Sequence, residues 1–172
     1  MPTKTSLAAV NAMDAAAFNT VFGRVFEHSP WIAERALARR PFQSRGAMHR
    51  AMCDVVEQAS FEEKIALLRA HPELAGQEAR SGTLTPESTN EQRRAGLDAL
   101  SKDEMARIAY LNRAHAEKFG FPFIIAARLN AMDRIFAELE RRNLLDMEAE
   151  LAACIEQVFL ITGLRIDNLI EE

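Results

Sequence analysis

Ser101-Lys102-Asp103-Glu104 opens a stretch that closes at Lys118-Phe119-Gly120, and its two ends fix what lies between them. Ser-x-x-Glu is a capping box: the serine oxygen accepts from the amide three residues on, and the glutamate reaches back to the serine amide. Gly120 can take the left-handed position that follows a helix. The spacing therefore predicts a helix from Ser101 to Phe119. Ser60 with Glu63 and Ser88 with Glu91 repeat the box and predict two more helix starts. The first of these helices should stop at His71-Pro72, because proline disfavours continued helix. Downstream, Pro122 predicts a helix start that runs to about Arg142. A last helix is expected from about Met147 to Ile170, with Leu151, Cys154, Ile155, Val158, Phe159 and Thr162 on one stripe.

Upstream the same signals recur. Asp14 can cap a helix through Phe18, Val21, Phe22 and Val25, spaced three and four apart. Ser29-Pro30 reads as an N-cap followed by proline at the first helical position, in a helix carrying Trp31 and Ile32 and stopping near Pro41. Another helix is expected over 45–58. β-Branched residues are sparse and do not alternate with polar ones, while Ala, Leu, Glu and Arg favour helix. Residues 72–87 hold Gly76, Gly82 and Pro86 and read as a long loop, a feature that in a helical domain is usually functional or mobile. The expected fold is all-α: one bundle-like domain over residues 1–172 with seven to eight helices.

The 48% hydrophobic content is enough to build a core without a metal or disulfide staple. A net charge of −4, with both signs spread along the chain, argues against nucleic acid, which wants a basic face. The pairs Arg39-Arg40 and Arg141-Arg142 read as solvated helix ends. Cys53 and Cys154 have no partner at metal or redox spacing and read as buried free thiols. No signal-peptide pattern, membrane-length apolar run or Ser-Lys-Leu tail is visible, which predicts a soluble protein of a reducing, bacterial cytoplasm without a membrane partner.

Few residues suit chemistry. His71 lies just past a helix end and opens a glycine-containing loop. An imidazole can give and take protons near neutral pH, but one beside a helix C-terminus also has a purely structural reading. Glu91 can simply complete the capping box of Ser88, although a helix N-terminus also offers free N–H groups to an anionic or carbonyl-bearing ligand. Gln92 can both donate and accept. The stretch Phe119-Gly120-Phe121-Pro122-Phe123-Ile124-Ile125 reads as core, yet amides after Pro122 can meet a planar heterocycle. Arg165, flanked by Leu164 and Ile166, is either a surface residue or a partly buried one that calls for an anionic partner. His28, His49 and His115 are scattered, and no His-Glu-x-x-His, Cys-x-x-Cys, phosphate loop or Gly-x-Ser-x-Gly elbow occurs. Cofactor-free acid–base chemistry or simple binding is left.

Taken together, several segments resemble the 2-oxo-4-hydroxy-4-carboxy-5-ureidoimidazoline (OHCU) decarboxylases of urate breakdown. They are Phe26-Glu27-His28-Ser29-Pro30-Trp31, His71-Pro72-Glu73-Leu74-Ala75-Gly76, residues 88–92 with Ala95-Gly96-Leu97, Lys118-Phe119-Gly120-Phe121-Pro122-Phe123-Ile124, and Leu164-Arg165 with Leu169. The resemblance covers nearly the whole chain. It implies an all-helical, cofactor-independent carboxy-lyase, with no metal, that converts OHCU to (S)-allantoin. It also implies His71 as the catalytic histidine, Glu91 as its acidic partner and Arg165 as the distal arginine. Pro72, the segment Ser88, Thr89, Asn90, Glu91 and Gln92, and the backbone of Phe123, Ile124, Ile125, Ala126 and Ala127 match substrate-contacting positions. Glu73, Gln77 and Leu129 depart from residues common in the family. A small-molecule substrate is the expected partner, and a homodimer is compatible with the reading. The main rival is a non-catalytic helical module that binds a purine metabolite; a second is another cofactor-free lyase or isomerase using the same His71 and Glu91 pair.

Overall fold

Both ends of the helix that begins at Ser101 form as the sequence predicts. Ser101 Oγ accepts from the Glu104 amide at 3.2 Å, Glu104 Oε2 accepts from the Ser101 amide at 2.8 Å, and Gly120 follows at φ 78°. The structure, a computed structural model, describes residues 4–171; the readings made at the extreme chain ends fall partly outside that range. The described residues form ten α-helices: α1 (Leu7–Ala12), α2 (Ala15–Phe22), α3 (Trp31–Ala36), α4 (Arg45–Glu57), α5 (Phe61–Arg69), α6 (Gln77–Ser81), α7 (Pro86–Arg94), α8 (Lys102–Phe119), α9 (Met132–Arg142) and α10 (Met147–Leu169). Seven of them have eight or more residues, in line with the number expected; α1, α3 and α6 are short. Single 3-10 turns lie at Leu37–Arg39 and Ala127–Leu129, and among the described residues the only β pairing is a lone bridge between Thr5 and Ile170.

The chain divides into two compact units. One comprises the residues up to Ala70 together with those from Phe159 on; the other is His71–Val158. In the first, α3 packs on α2 and α4. Phe18, Phe22, Ile32, Met48, Met52, Leu67 and Leu68 are fully or almost fully buried there. Asp14 caps α2 through the Ala17 amide at 2.7 Å, and the helix stops at Phe22, so Val25 is buried in the turn beyond it. Ser29 does not cap α3 as expected: its hydroxyl donates to the Glu27 carbonyl at 2.9 Å, and Pro30 takes the cap position. The last segment is tied back by Thr5, whose amide donates to Leu169 C=O at 2.8 Å while its carbonyl accepts from Glu171 at 3.0 Å.

In the second unit, Leu74, Leu97, Ile108, Phe123, Ile125, Ile135, Phe136 and Leu139 form one apolar cluster. The helix α8 packs on α9, and α7 packs on the 3-10 turn at Ala127–Leu129. Three expectations fail here. The stretch 72–87 is not all loop, because α6 occupies part of it. The box at Ser88 does not form: Thr85 caps α7, accepting from the Ser88 amide at 3.3 Å, with Pro86 at the first helical position. Thr85-Pro86 starts the helix three residues early, which leaves Ser88 and Glu91 inside it. Thr85→Ala should therefore lower unfolding free energy by ~1 kcal/mol in thermal denaturation, the usual worth of a cap. Finally, Pro122 does not start a helix. Residues 121–126 are neither helix nor strand, and α9 begins only at Met132.

The helix α10 begins as predicted, with Asp146 Oδ1 accepting from the Ala149 amide at 2.8 Å. Arg141 is exposed, as expected of a solvated helix end, but Arg142 is buried at 2% exposure. No helix among the described residues is long and apolar enough to cross a membrane.

Candidate active site

His71 follows the end of α5 and is 7% exposed. The loop it opens is held by amide side chains from two helices. Gln92 of α7 accepts from the Ala75 amide at 2.9 Å and donates to the Glu73 carbonyl at 3.3 Å. Asn112 of α8 donates to the Leu74 carbonyl at 3.0 Å. These bonds support a strained turn: Ala75 sits at φ 51°, a left-handed conformation that costs a non-glycine residue roughly 1–2 kcal/mol. Gly76 is required for a different reason, since a Cβ there would lie 2.7 Å from Glu73 Cβ.

The helix α7 presents Ser88 and Gln92, one turn apart, on a buried face; Glu91 and Thr89 flank it half-buried, and Asn90 is exposed. The third segment, 121–126, is buried apart from half-buried Pro122. Phe123, Ile125 and Ala127 share the apolar cluster with Leu74 and Ala75 of the His71 loop, while α7 packs on the turn that Ala127 begins. The His71 loop, α7 and the 121–127 segment thus converge within one unit. Half-buried Pro72 belongs to the first of them. A cavity of about 310 Å³ borders the same loop; Ala75, Arg80, Thr89, Gln92, Arg93 and Leu97 line it, whereas His71 and Glu91 do not.

Arg165 belongs to the other unit. It is 5% exposed, and the anionic partner that its apolar flanks called for is Glu27, 2.8 Å away and 2% exposed. The same guanidinium donates to the Val25 carbonyl at 3.2 Å. Glu27 lies in the Phe26-Glu27-His28-Ser29-Pro30-Trp31 segment, so two of the quoted segments meet in this pair. Also in this unit, His49 Nε2 lies 2.9 Å from Thr162 Oγ1, and burial lowers the His49 pKa.

The second unit also holds a buried group that no spacing in the sequence marks. His115, judged scattered, is 0% exposed, with Nε2 2.7 Å from Glu150 and Nδ1 3.1 Å from the Phe121 carbonyl. Arg142 grips Glu150 with two bonds, at 2.9 and 2.7 Å. Cys154 completes the group: the Arg142 guanidinium donates to its sulfur at 3.0 Å. His115, Glu150 and Cys154 offer ligand atoms within 4.8 Å of one another, but Arg142 already supplies a cation to two of them, which does not suit a metal ion. Burial pushes the Cys154 and Cys53 thiols up to about 12, as befits inert thiols; both are free, and Cys53 is only half-buried.

A family model described as OHCU decarboxylase matches residues 11–167, more than half of the chain. The chain belongs to the OHCU decarboxylase family. Among curated proteins, it is 40% identical to the 2-oxo-4-hydroxy-4-carboxy-5-ureidoimidazoline decarboxylase of Haloferax volcanii, over 94% of either chain. It is 37% identical to the mouse (Mus musculus) protein of the same name, over 94% of this chain and 90% of that one. A crystal structure of (S)-allantoin synthase matches with a TM-score of 0.77 and 26% identity, over 97% of this chain and 54% of that one, so the OHCU decarboxylase-family chain spans about half of it. A crystal structure of OHCU decarboxylase in the presence of (S)-allantoin matches with a TM-score of 0.67; at 20% identity it bears on the fold alone.

Proposed function

We propose that this chain is a carboxy-lyase that decarboxylates OHCU to (S)-allantoin in urate breakdown, with His71 as the acid/base and Glu91 as the group that orients it. The observation that carries this reading is the convergence of the His71 loop, α7 and the 121–127 segment in one unit, in a chain whose family model spans residues 11–167. That span runs through both compact units and supports reading them as one decarboxylase-like domain.

The substrate's chemistry explains why so few groups suffice. OHCU carries its carboxylate on a carbon next to a C=N bond, and loss of carbon dioxide pushes the electron pair toward that imine. The electron sink is internal, so neither pyridoxal, thiamine nor a metal is called for. The protein must hold the carboxylate for departure, handle the C4 hydroxyl proton and deliver a proton to one face of C5. In this reading His71 is the proton donor. Pro72, Ser88, Thr89, Asn90 and Gln92 contact the substrate, although Gln92 spends its amide largely on the loop and Asn90 is exposed. The backbone of Phe123, Ile124, Ile125, Ala126 and Ala127 forms a wall whose apolar side chains exclude water. Residues 123–126 lie outside any helix, although the Ala126 amide donates to Gln157 and Ala127 begins a 3-10 turn. The role of Arg165 rests on the resemblance alone; its partners include Glu27 and the Val25 carbonyl.

The reading includes a cytoplasmic location, in keeping with two free thiols, and a homodimer that light scattering would distinguish from a monomer. The deciding experiment makes unstable OHCU in situ from urate with urate oxidase and hydroxyisourate hydrolase, and follows allantoin by circular dichroism. One enantiomer should form faster with the protein than without it, and equally fast after exhaustive chelation and dialysis. Optical activity growing at the spontaneous rate would return the chain to a metabolite-binding role. Activity lost to EDTA and restored by a divalent ion would overturn the cofactor-free chemistry.

A further inference from the structure

The 121–127 segment carries a proline start signal and helix-forming neighbours, yet it forms no α-helix, and side chains from α8, α9 and α10 hold it at four points. His115 Nδ1 faces the Phe121 carbonyl at 3.1 Å. Arg142 donates to the Ile124 carbonyl at 2.7 Å and lies 4.3 Å from the centre of the Phe123 ring. Gln157 accepts from the Ala126 amide at 3.0 Å. Asn130, just past the 3-10 turn, donates to the Ala126 carbonyl at 2.9 Å. These bonds satisfy backbone groups that a helix would otherwise satisfy, and so remove the reason for the segment to coil.

Arg142 and His115 are themselves fixed by Glu150, which is fully buried and bonds to both. Burial alone would raise the pKa of this carboxyl, but the hydrogen bonds from His115 and Arg142 outweigh it and hold it below the ordinary value. The carboxylate is therefore charged at neutral pH and gives the guanidinium a rigid, two-point seat. The planar fork can then meet Glu150, Cys154 and Ile124 at once, which a lysine ammonium at the end of a flexible stem cannot do.

We propose that Arg142, Glu150, His115 and Gln157 are positioning residues for the decarboxylation: they keep 121–127 out of an α-helix so that its backbone can bind the substrate. This rests on the reading that the segment forms the substrate wall. None of the four needs to touch the substrate. Their effect should appear in substrate binding, with little change in the chemical step assigned to His71.

The test uses the full chain with Arg142→Lys and Gln157→Ala. Gln157→Ala removes one anchor at a half-buried position without stranding a buried charge, so it decides the matter if Arg142→Lys fails to fold. Two readouts are taken: KM and kcat with OHCU made in situ, and amide hydrogen exchange over 121–127 compared with that of α8. Arg142→Lys should raise KM about tenfold, the scale of one charge-assisted hydrogen bond, with kcat within about threefold of wild type. Gln157→Ala should raise KM by a smaller factor of about three, the scale of a neutral bond. In both variants exchange should quicken over 121–127 and stay unchanged in α8. Unchanged exchange over 121–127 overturns the positioning role and leaves the wall reading standing. Faster exchange with unchanged KM also overturns the proposal, and in that case the fault lies in the wall reading. A fall in kcat at constant KM would show that the four residues act elsewhere.

Discussion

Replacing His71 with Asn should lower turnover by about 10²-fold or more while the melting temperature stays close to wild type. A positioned acid/base is worth that much, and asparagine cannot cycle a proton near neutral pH. The stability half of the expectation comes from how the loop is held. Its anchors are Gln92 on Glu73 and Ala75, and Asn112 on Leu74, all made through backbone atoms that the substitution leaves in place. The strained turn at Ala75 therefore keeps its support. Asparagine is also small enough to fit the space the buried imidazole occupies and can still hydrogen-bond there. The measurement is steady-state turnover of OHCU beside a thermal melt of the same preparation. A folded variant with near-wild-type turnover would return His71 to the structural role open to any histidine at a helix end.

Local chemistry was legible in the sequence wherever the deciding partner lay within a few residues. The boxes at Ser60 and Ser101 form because serine and glutamate are three positions apart and need nothing else. Gly120 ends α8 for the same reason. The box at Ser88 fails through a competing local signal: Thr85-Pro86 offers a cap and a preset backbone angle one turn earlier, and a helix can begin only once. The segment after Pro122 is a different case. Its helix is lost to Arg142, His115 and Gln157, which reach it from between 6 and 31 residues away. No periodicity within the segment records them. Arg142 differs from its neighbour Arg141 because it alone of the two hydrogen-bonds Glu150, and a charge pair in sequence looks the same either way. Sequence leaves Arg165 open between a surface position and a buried one with an anionic partner; the partner that decides it, Glu27, lies 138 positions away. The Glu27-bearing segment and Leu164-Arg165 are far apart in sequence, and the fold joins them.

Glu91→Gln isolates the charge of Glu91 from everything else that residue does. From sequence alone, Glu91 could have been a helix cap and nothing more, in which case losing its carboxylate would chiefly weaken α7. The cap belongs instead to Thr85, and Glu91 lies within the helix, so glutamine there should change helix stability little. A loss of activity would then report on the charge itself. An imidazolium formed during proton transfer is stabilised by a carboxylate held beside it and much less by a neutral amide. If Glu91 orients and stabilises His71, turnover should fall on the order of tenfold or more with the melting temperature near wild type, and the His71→Asn, Glu91→Gln double variant should lose less than the product of the two single losses, as coupled residues do. Losses that simply multiply would mean that the two residues act independently. Normal turnover in the folded single variant would remove Glu91 from the mechanism and leave His71 to be oriented by another group.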